Sequence, residues 1–440
     1  MKNMHADLVL TGRYLLTMDR QGTIIEEGGL AIGGDTILEA GPADELKARY
    51  PGATLLARPH GLIMPGLVNV HTHAAMACFR GLADDLPLMR WLQEYIFPAE
   101  ARLTGEMVYH ATRLSLCEMI RSGTTSFCDM YLFAGDVARA AAEAGMRAWI
   151  GEVLYDFPSP NYGELENGLH YTDELFAAWA GHELITITVD PHAVYTCSPE
   201  LLTRLARVAE EHDSLYVIHL AETEDEVNTC RERYGCSPVE HLDRLGILNR
   251  RVLADHCVRV TDDEIALMAE RGVRVAHCPE SNLKLASGVA PVVRMLAAGI
   301  AVGIGTDGSA SNNDVDMFGE MNTAAKIHKV TTMDPTAMDA ATTLHAATMG
   351  GAAALDAGQR IGSLEAGKKA DCIVLDMDQP HLTPVYHPVS HLVYAARGSD
   401  VTDSVIGGRL VMENRRLLTL DEAAILARMR EMAAGIRSRG

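Results

Sequence analysis

Two histidines, His71 and His73, end the apolar run of the segment PGLVNVHTH. Residues two apart in a β-strand point to the same face, so we expect both imidazoles to face the same way. Two co-directed imidazoles at the end of a buried strand form half of a metal site, because neutral imidazole is a common metal ligand. In a chain with 18 histidines a single pair is more often polar surface or satisfied core, so this pair needs partners.

Five further apolar runs supply such partners at their ends. The residues are His192, His219 (with Glu222 three positions on), His256, His277 and Asp307. Six histidines and one aspartate in equivalent positions far exceed what scattered polar residues would supply. The pattern therefore predicts a metal-dependent catalytic site.

The residue types indicate the chemistry of that site. His71, His73, His219 and Asp307 offer three imidazole nitrogens and one carboxylate. This set suits one divalent ion, zinc first, with iron(II) as the alternative. Such an ion lowers the pKa of a bound water towards about 7 and so supplies hydroxide at neutral pH. Glu222 lies close enough along the chain to His219 to carry the proton of that water.

The elements that position these residues alternate between strands and helices. Eight strand-like runs between residues 63 and 310 are separated by amphipathic helices; they are LVNVHTH, TTSFCDM, RAWIGEV, ITITVDPH, LYVIHLAE, RVLADHC, VRVAHCPE and AVGIGTDG. One helix begins after Ser198, and another runs from a Thr261 cap to Gly272. Eight such units predict an α/β fold of the (β/α)8 TIM-barrel type, in which catalytic groups gather at the carboxyl ends of the strands.

Both ends of the chain are rich in short β-like pieces instead. Residues 1–62 include ADLVLTG and YLLTMD, and residues 369–440 include KADCIVLDMD and DSVIGGRLVMENRRLL. We predict that the two ends pair into one small β-sandwich domain with a helix near 421–437. The barrel domain then spans residues 63–368.

Composition limits the class of protein. A net charge of −21 argues against a nucleic-acid partner, because phosphate binding needs clustered Lys and Arg. The chain has no apolar run long enough to span a membrane, and Asp7, Arg13 and Asp19 interrupt the N-terminal segment in a way that signal peptides do not tolerate. Nine cysteines without a C-x-x-C pair are typical of reduced thiols in the cytoplasm. We expect a cytoplasmic homo-oligomer that acts on a small molecule and has no membrane partner.

Several motifs resemble those of a known enzyme group. PGLVNVHTH, HLAE, HCPESNLKLASGVAPV and GTDGSASNND are similar to the amidohydrolase superfamily. The stretch HTHAAMACFRGLADDLPLMRWLQEYIFPAE more closely resembles the 5-methylthioadenosine/S-adenosylhomocysteine deaminase family, and the similarity spans essentially the whole chain. Related barrels with two metals often use a modified lysine in the fourth strand; ITITVDPHAV has none, which favours one metal ion.

The resemblance implies hydrolytic deamination of adenine at C6 in adenosine derivatives. The metal ligands would be His71, His73, His219 and Asp307, and Asp307 would also take the proton of the water. Glu222 would carry protons to purine N1 and to the departing amine, and His256 would orient the nucleophile.

The resemblance also implies residues that bind the substrate. Glu100 would accept hydrogen bonds from the ribose hydroxyls, although by itself it would be interpreted as a capping or surface carboxylate. His192 would bond the purine. Trp91 and Leu88 would cover an apolar part of the substrate or simply pack in a helical core. His277 either braces the loop PESNLKL or acts directly, and the sequence leaves the two open.

Two other functions remain open from the sequence. One is hydrolysis of another heteroaromatic ring such as guanine or a triazine, for which Glu100 would have no ribose diol to bind. The other is a non-catalytic barrel scaffold, which should have lost some metal ligands, whereas this chain keeps all four.

The 5′ group of the substrate gives a further prediction. Some relatives that accept S-adenosylhomocysteine carry arginines after strand three, where this chain has Glu152 and Glu164. Carboxylates there would repel the carboxylate of S-adenosylhomocysteine and favour 5′-methylthioadenosine, then 5′-deoxyadenosine or adenosine. The alternative is that both glutamates face solvent and that Arg80 or Arg90 meets the substrate carboxylate.

Overall fold

The computed structural model describes residues 5–437, with side chains as far as residue 434. The outermost parts of the predicted end domain, residues 1–4 and 438–440, lie outside the described residues.

The N-terminal part of the chain forms strands and one helix. The elements are β1 (Leu8–Leu16), β2 (Ile24–Glu26), β3 (Gly28–Gly33), β4 (Thr36–Pro42), α1 (Ala43–Arg49) and β5 (Thr54–Pro65).

The middle of the chain alternates strands and helices. Its strands are β6 (Leu67–Thr72), β7 (Thr124–Tyr131), β8 (Arg147–Leu154), β9 (Ile185–Ile187), β10 (Asp190–Pro191), β11 (Tyr216–Leu220), β12 (Val252–His256), β13 (Arg274–His277) and β14 (Val302–Ile304). Its helices are α2 (Leu88–Trp91), α3 (Phe97–Glu100), α4 (Gly105–Arg121), α5 (Ala134–Ala144), α6 (Leu165–Trp179), α7 (Pro199–Glu211), α8 (Glu224–Tyr234), α9 (Pro238–Arg244), α10 (Asp262–Arg271), α11 (Pro279–Lys284), α12 (Val292–Ala297), α13 (Met317–Thr332), α14 (Ala340–His345) and α15 (Gly351–Ala354).

The C-terminal part returns to strands. The elements are β15 (Cys372–Asp376), α16 (Pro388–Tyr394), β16 (Val401–Ile406), β17 (Arg409–Glu413), β18 (Arg416–Leu417) and α17 (Glu422–Arg437).

All eight strand-like runs of the sequence are strands, arranged in two parallel sheets. One sheet contains β6, β7, β8, β9 and β10, and the other contains β11 to β14. A parallel bridge between Val189 and Tyr216 joins the sheets at one edge. At the other edge the backbone N–H of Asp307 donates to His71 O at 2.9 Å. The carboxyl ends of the strands therefore lie together on one side, as the barrel prediction requires.

The helices between these strands begin and end where the sequence signals them. The Ser198 side chain accepts from the backbone N–H of Leu201 at the start of α7. Thr261 and Glu264 form a capping box on α10, and Gly272 ends that helix in the left-handed region at φ 73°. Each such cap is worth roughly 1 kcal/mol, and it fixes where the chain turns back to the next strand.

The strands from both ends of the chain form one nine-stranded sheet. Its order is β18-β17-β16-β15-β5-β1-β3-β4, with β2 paired to β1. β5 and β15 pair antiparallel, with Ile63 opposite Val374. A buried ion pair, Arg147 Nε to Asp371 Oδ2 at 2.7 Å, ties the barrel to this sheet.

A helical segment before α4 lies against the carboxyl ends of the barrel strands. It consists of α2, a π-helical turn over residues 92–96, and α3. Trp91 and Leu92 are buried within it. No helix among residues 5–437 combines the length and the apolar character that a membrane span requires.

Candidate active site

Three histidines and one aspartate meet at the carboxyl ends of the barrel strands. His73 Nε2 lies 3.3 Å from His219 Nε2 and 3.2 Å from Asp307 Oδ1. His71 Nε2 lies 3.6 Å from the same Asp307 oxygen. Strands β6, β11 and the segment after β14 bring these side chains together. The side chains of the four residues predicted as metal ligands thus lie close together, with His71 grouped with His73 and His219 on one side and with His256 and Asp307 on the other.

The chemistry of these residues fits a cation. Both ring nitrogens of His71 are buried and make no hydrogen bond of normal geometry. Burial by itself would lower the pKa of His71, but Asp255 and Asp307 outweigh burial and raise it to about 10. Burial also opposes ionisation of Asp307, yet the two imidazoles beside it hold its pKa well below the usual range. Positive charge is therefore favoured where these groups meet.

Each imidazole is oriented by a group behind it. His73 Nδ1 contacts the backbone carbonyl of Met130. His219 Nδ1 donates to the carbonyl of His192 at 2.8 Å. His71 Nδ1 lies 3.1 Å from Asp255 Oδ2, and both side chains are buried. In each case the Nδ1 atom is held, which leaves Nε2 to face the centre.

The backbone at this end of the barrel is strained. His256 has φ 69° and Asp307 has φ 62°, both in the left-handed region that side chains other than glycine rarely adopt. Such a conformation costs roughly 1–2 kcal/mol per residue. The side chains of both residues line one cavity.

Glu222 and His256 lie together beside the ligand cluster. Glu222 Oε2 is 4.0 Å from His256 Nε2. Ser287 Oγ donates to the other carboxylate oxygen of Glu222 at 3.0 Å. His256 Nδ1 donates to Asn282 Oδ1 at 2.9 Å, so its Nε2 is free to accept a hydrogen bond from a molecule in the site.

His192 and Glu100 face the same space from other elements. Burial lowers the pKa of His192 to about 3, so its imidazole is neutral at pH 7. Burial raises the pKa of Glu100 to about 7, an effect that the neighbouring Tyr131 hydroxyl partly offsets. Glu100 is therefore not the surface carboxylate that its sequence would suggest in isolation.

One cavity connects most of these groups. His73, His192, His219, Glu222, His256, Glu100 and Asp307 line it. Leu88 and Trp91 line it as well, so both face the cavity while they pack within the helical segment. No lysine or arginine is among its described lining residues. A mostly apolar cavity with a few converging polar groups is typical of a small-molecule site.

His277 lies outside this cavity. Its Nε2 atom is 3.0 Å from His328 Nε2 on α13, and burial lowers the pKa of both imidazoles. The contact favours the bracing role over the direct role.

The predicted arrangement around the 5′ group is wrong. Glu152 points to the outer side of β8, where it accepts from the backbone N–H of Ala134 at 2.8 Å and from Asn161 Nδ2 at 3.0 Å. Glu164 is exposed at the start of α6. Neither carboxylate lines the cavity, because alternation along β8 turns Val153 inward instead.

The two alternative arginines do not line the cavity either. Arg80 Nη1 donates to Glu118 at 3.1 Å, and Arg90 pairs with Glu94 at 2.9 Å. The lining of the cavity thus contains neither the two glutamates nor the two arginines that the sequence pointed to.

Sequence reasoning missed three residues that hold the site. Asp255 supports His71, Asn282 orients His256, and Ser287 holds Glu222. Asp255 had a readable signal, because it is an acidic residue inside the apolar strand RVLADHC. Asn282 and Ser287 lie in the segment after β13 and carry no signal that separates them from ordinary polar residues.

Comparison with known proteins adds to this geometry. The family model described as "Amidohydrolase family" matches residues 62–411, and a model for an imidazolonepropionase-like composite domain of bacteria matches residues 28–53. The 5-methylthioadenosine/S-adenosylhomocysteine deaminase of Syntrophobacter fumaroxidans is 55% identical over 99% of this chain and 100% of that protein. The 5′-deoxyadenosine deaminase of Methanosarcina mazei is 43% identical over 99% of both.

A solved structure shows the same architecture. The adenosine deaminase from Xanthomonas campestris with bound zinc superimposes with a TM-score of 0.97 at 41% identity, covering 98% of this chain and 99% of that one.

Proposed function

Because the chain belongs to the amidohydrolase family, we propose that it hydrolyses the C6–amino bond of adenine in adenosine derivatives. Water adds its oxygen to C6, the C6–nitrogen bond breaks, and ammonia leaves together with the inosine analogue. The two relatives named above are deaminases of 5′-modified adenosines, which supports this substrate class.

One observation carries the proposal. The cavity joins the His/Asp cluster and Glu222 at its base to His192 and Glu100 on its walls. A purine needs a proton carrier and a hydrogen-bonding neighbour close to the reacting carbon, and its ribose needs an acceptor for two hydroxyls. The lining offers a group for each of these needs in one space.

The cluster His71, His73, His219 and Asp307 would hold one divalent ion, for which we propose zinc with iron(II) as the alternative. The Nε2 of His71, which has no hydrogen-bond partner, supports such an ion, as do the grouped nitrogens of His71, His73 and His219 with the Asp307 carboxylate 3.2 Å from His73. When bound, the ion would lower the pKa of a water molecule to near neutrality and polarise it for attack.

The residues of the chain then move and position protons. Asp307 accepts a proton from the attacking water, while Ser281 and Ser311 donate to its other oxygen at 2.6 and 2.9 Å. Glu222 carries a proton to purine N1 and then to the departing amine. His256 accepts a hydrogen bond at Nε2 and so directs the nucleophile to C6.

The remaining lining residues hold the substrate. His192 is neutral and bonds the purine ring. Glu100 accepts from the ribose hydroxyls, and Trp91 and Leu88 cover apolar parts of the nucleoside. A positioned acceptor in a buried wall discriminates strongly, because a ring without ribose leaves the carboxyl unpaired.

The 5′ group is neutral in the preferred substrate. Because no described lysine or arginine lines the cavity, the carboxylate of S-adenosylhomocysteine would lose its hydration without gaining a cation. We therefore place 5′-methylthioadenosine first, followed by 5′-deoxyadenosine and adenosine.

We further propose the compartment of the enzyme, the role of its second domain and its assembly. The nine cysteines form no disulfide among the described residues, which suits the cytoplasm. The divided domain of residues 1–62 and 369–440 serves as a support for the barrel of residues 63–368. Val330, Met333 and Tyr386 are 66%, 87% and 79% exposed, which favours a homo-oligomer. Nucleic acids and membranes are not partners in this proposal.

A substrate screen tests the proposal. Purified protein is assayed for ammonia release from 5′-methylthioadenosine, adenosine, S-adenosylhomocysteine, guanine and an aminotriazine, and its metal content is measured by elemental analysis. We expect about one divalent ion per chain and the highest kcat/KM on a neutral 5′-substituted adenosine. Faster turnover of guanine or the triazine would show that the enzyme hydrolyses that ring instead. Absence of both metal and turnover would favour a non-catalytic barrel scaffold.

A further inference from the structure

A second cavity lies at the opposite end of the barrel strands; we call it the basal cavity. Four arginines line it: Arg250, Arg251, Arg274 and Arg360. Arg251 directly precedes β12 and Arg274 begins β13, so both lie at the amino ends of strands whose carboxyl ends carry the deaminase site. The basal cavity is therefore separate from that site.

The basal cavity has an excess of positive charge. Arg250 and Arg251 share one oxygen of Asp213, at 3.5 and 2.9 Å. Arg274 pairs with Asp356 at 2.6 Å. These two carboxylates are the acidic residues in its lining, so four guanidinium groups face two carboxylates. A local surplus of two positive charges stands out in a chain whose net charge is −21.

Two of the guanidinium groups have unused hydrogen-bonding capacity. Arg251 Nε is buried and has no hydrogen-bond partner. Arg360 forms no ion pair with any carboxylate in the described part of the chain, and its guanidinium lies over the buried Trp149 ring at 6.0 Å. Burial of Arg251 Nε without a partner costs free energy, which an anion from solution would recover. Arg360 is exposed, so its donors face solvent and are open to an incoming anion.

We propose that the basal cavity binds a phosphate group, free or carried on a small phosphorylated metabolite. A phosphate ester has roughly −1.5 to −2 charges at pH 7, which matches the surplus of two, whereas a simple carboxylate has one. Forked guanidinium donors suit phosphate oxygens, and the Thr186 hydroxyl in the lining adds a further donor. The ring of Trp149 is covered, so it offers no face for stacking a base, and recognition rests on the phosphate itself.

Calorimetric titration of the full-length protein tests this site. Orthophosphate, pyrophosphate and ribose 5-phosphate are titrated at constant ionic strength. We expect saturable binding of one ligand per chain and a higher melting temperature in its presence. Equal affinity for orthophosphate and ribose 5-phosphate would identify free phosphate as the ligand. Binding of ribose 5-phosphate that is at least about tenfold tighter would identify a phosphorylated metabolite as the ligand.

Variants locate the binding. Arg360→Gln removes a charge that has no described ion pair, and we expect affinity to fall at least about tenfold, or 1.4 kcal/mol. Arg250→Gln, whose side chain is 61% exposed, provides a second test should the first variant melt early. The matched control is Arg294→Gln, because Arg294 is an exposed arginine paired with Asp262 away from this cavity.

Two results would overturn the proposal. One is the absence of saturable binding of all three ligands up to about ten millimolar, roughly the weak limit of specific small-ligand affinities. The other is unchanged affinity in Arg360→Gln and Arg250→Gln proteins that melt like the wild type.

Discussion

Replacing Asp255 by asparagine is expected to weaken metal binding without unfolding the protein. Asp255 Oδ2 lies 3.1 Å from His71 Nδ1, and neither side chain is more than 1% exposed. Asparagine has the same size and keeps one oxygen that can accept from Nδ1. The substitution therefore removes the negative charge behind a proposed ligand and little else.

The distance between Asp255 and His71 limits how far the substitution can weaken metal binding. Two full charges 3.1 Å apart interact by about 5 kcal/mol at an effective dielectric constant of about 20, which is an upper limit because a ligating imidazole is neutral. Loss of a carboxylate behind a metal-bound histidine typically costs roughly 10–100-fold in metal affinity, or about 1.4–2.7 kcal/mol. We expect Asp255→Asn to fall within that range.

Competition with a chromophoric zinc chelator measures this affinity, and thermal melting checks the fold. Asp190→Asn is the matched control, since Asp190 is also fully buried and lies on another barrel strand, β10. Burial raises the pKa of Asp190 well above its usual value, which favours the neutral carboxyl, so asparagine removes less charge there than at Asp255. An Asp255→Asn protein that holds zinc as tightly as the wild type, or an Asp190→Asn protein that loses as much, would refute the reasoning.

Four further predictions concern turnover, substrate binding and stability. Glu222→Gln should lower kcat at least about a hundredfold while metal content stays near wild type, because Glu222 carries protons and is not a proposed ligand; parallel loss of metal and activity would contradict this. Since the pKa of Glu100 is raised to about 7, protonation below that pH should weaken its acceptance of ribose hydroxyls, so KM for adenosine should rise as pH falls from 8 to 6. Glu100→Gln should flatten this dependence, and a KM profile identical to the wild type would argue against the assignment. kcat/KM for 5′-methylthioadenosine should exceed that for S-adenosylhomocysteine at least about tenfold, and equal values would show that a cation outside the described lining reaches the carboxylate. Thr261→Ala should lower the free energy of unfolding by about 1 kcal/mol through loss of the α10 capping box, as chemical denaturation can measure against the control Thr331→Ala, an exposed threonine in the last turn of α13.

The family, the fold class and the strand ends could be predicted because they depend on local patterns. Alternation of apolar residues locates the strands, and parallel strands bring their carboxyl ends to one side whatever the loops between them do. For that reason His71 and His219, far apart in the sequence, could be expected at one site. The amidohydrolase prediction is confirmed by the family match and by the fold of the solved relative.

Contacts that depend on side-chain direction could not be predicted in this way. Glu152 and Val153 are neighbours in β8, and only the three-dimensional arrangement decides which of them faces the cavity. The left-handed backbone at His256 and Asp307 likewise breaks the simple alternation that the sequence suggests. Asn282 reaches His256 from the short helix α11, whose placement beside β12 no local periodicity encodes.

The pairing of β5 with β15 has a consequence for synthesis on the ribosome. Ile63 emerges early, and its partner Val374 emerges only after the whole barrel has been translated. At roughly 5–20 residues per second that interval lasts some tens of seconds, during which one edge of β5 has no strand beside it. An unpaired apolar edge is a template for association between nascent chains. Translation speed and chaperone supply should therefore affect the yield of this enzyme more than they affect chains whose sheets close locally.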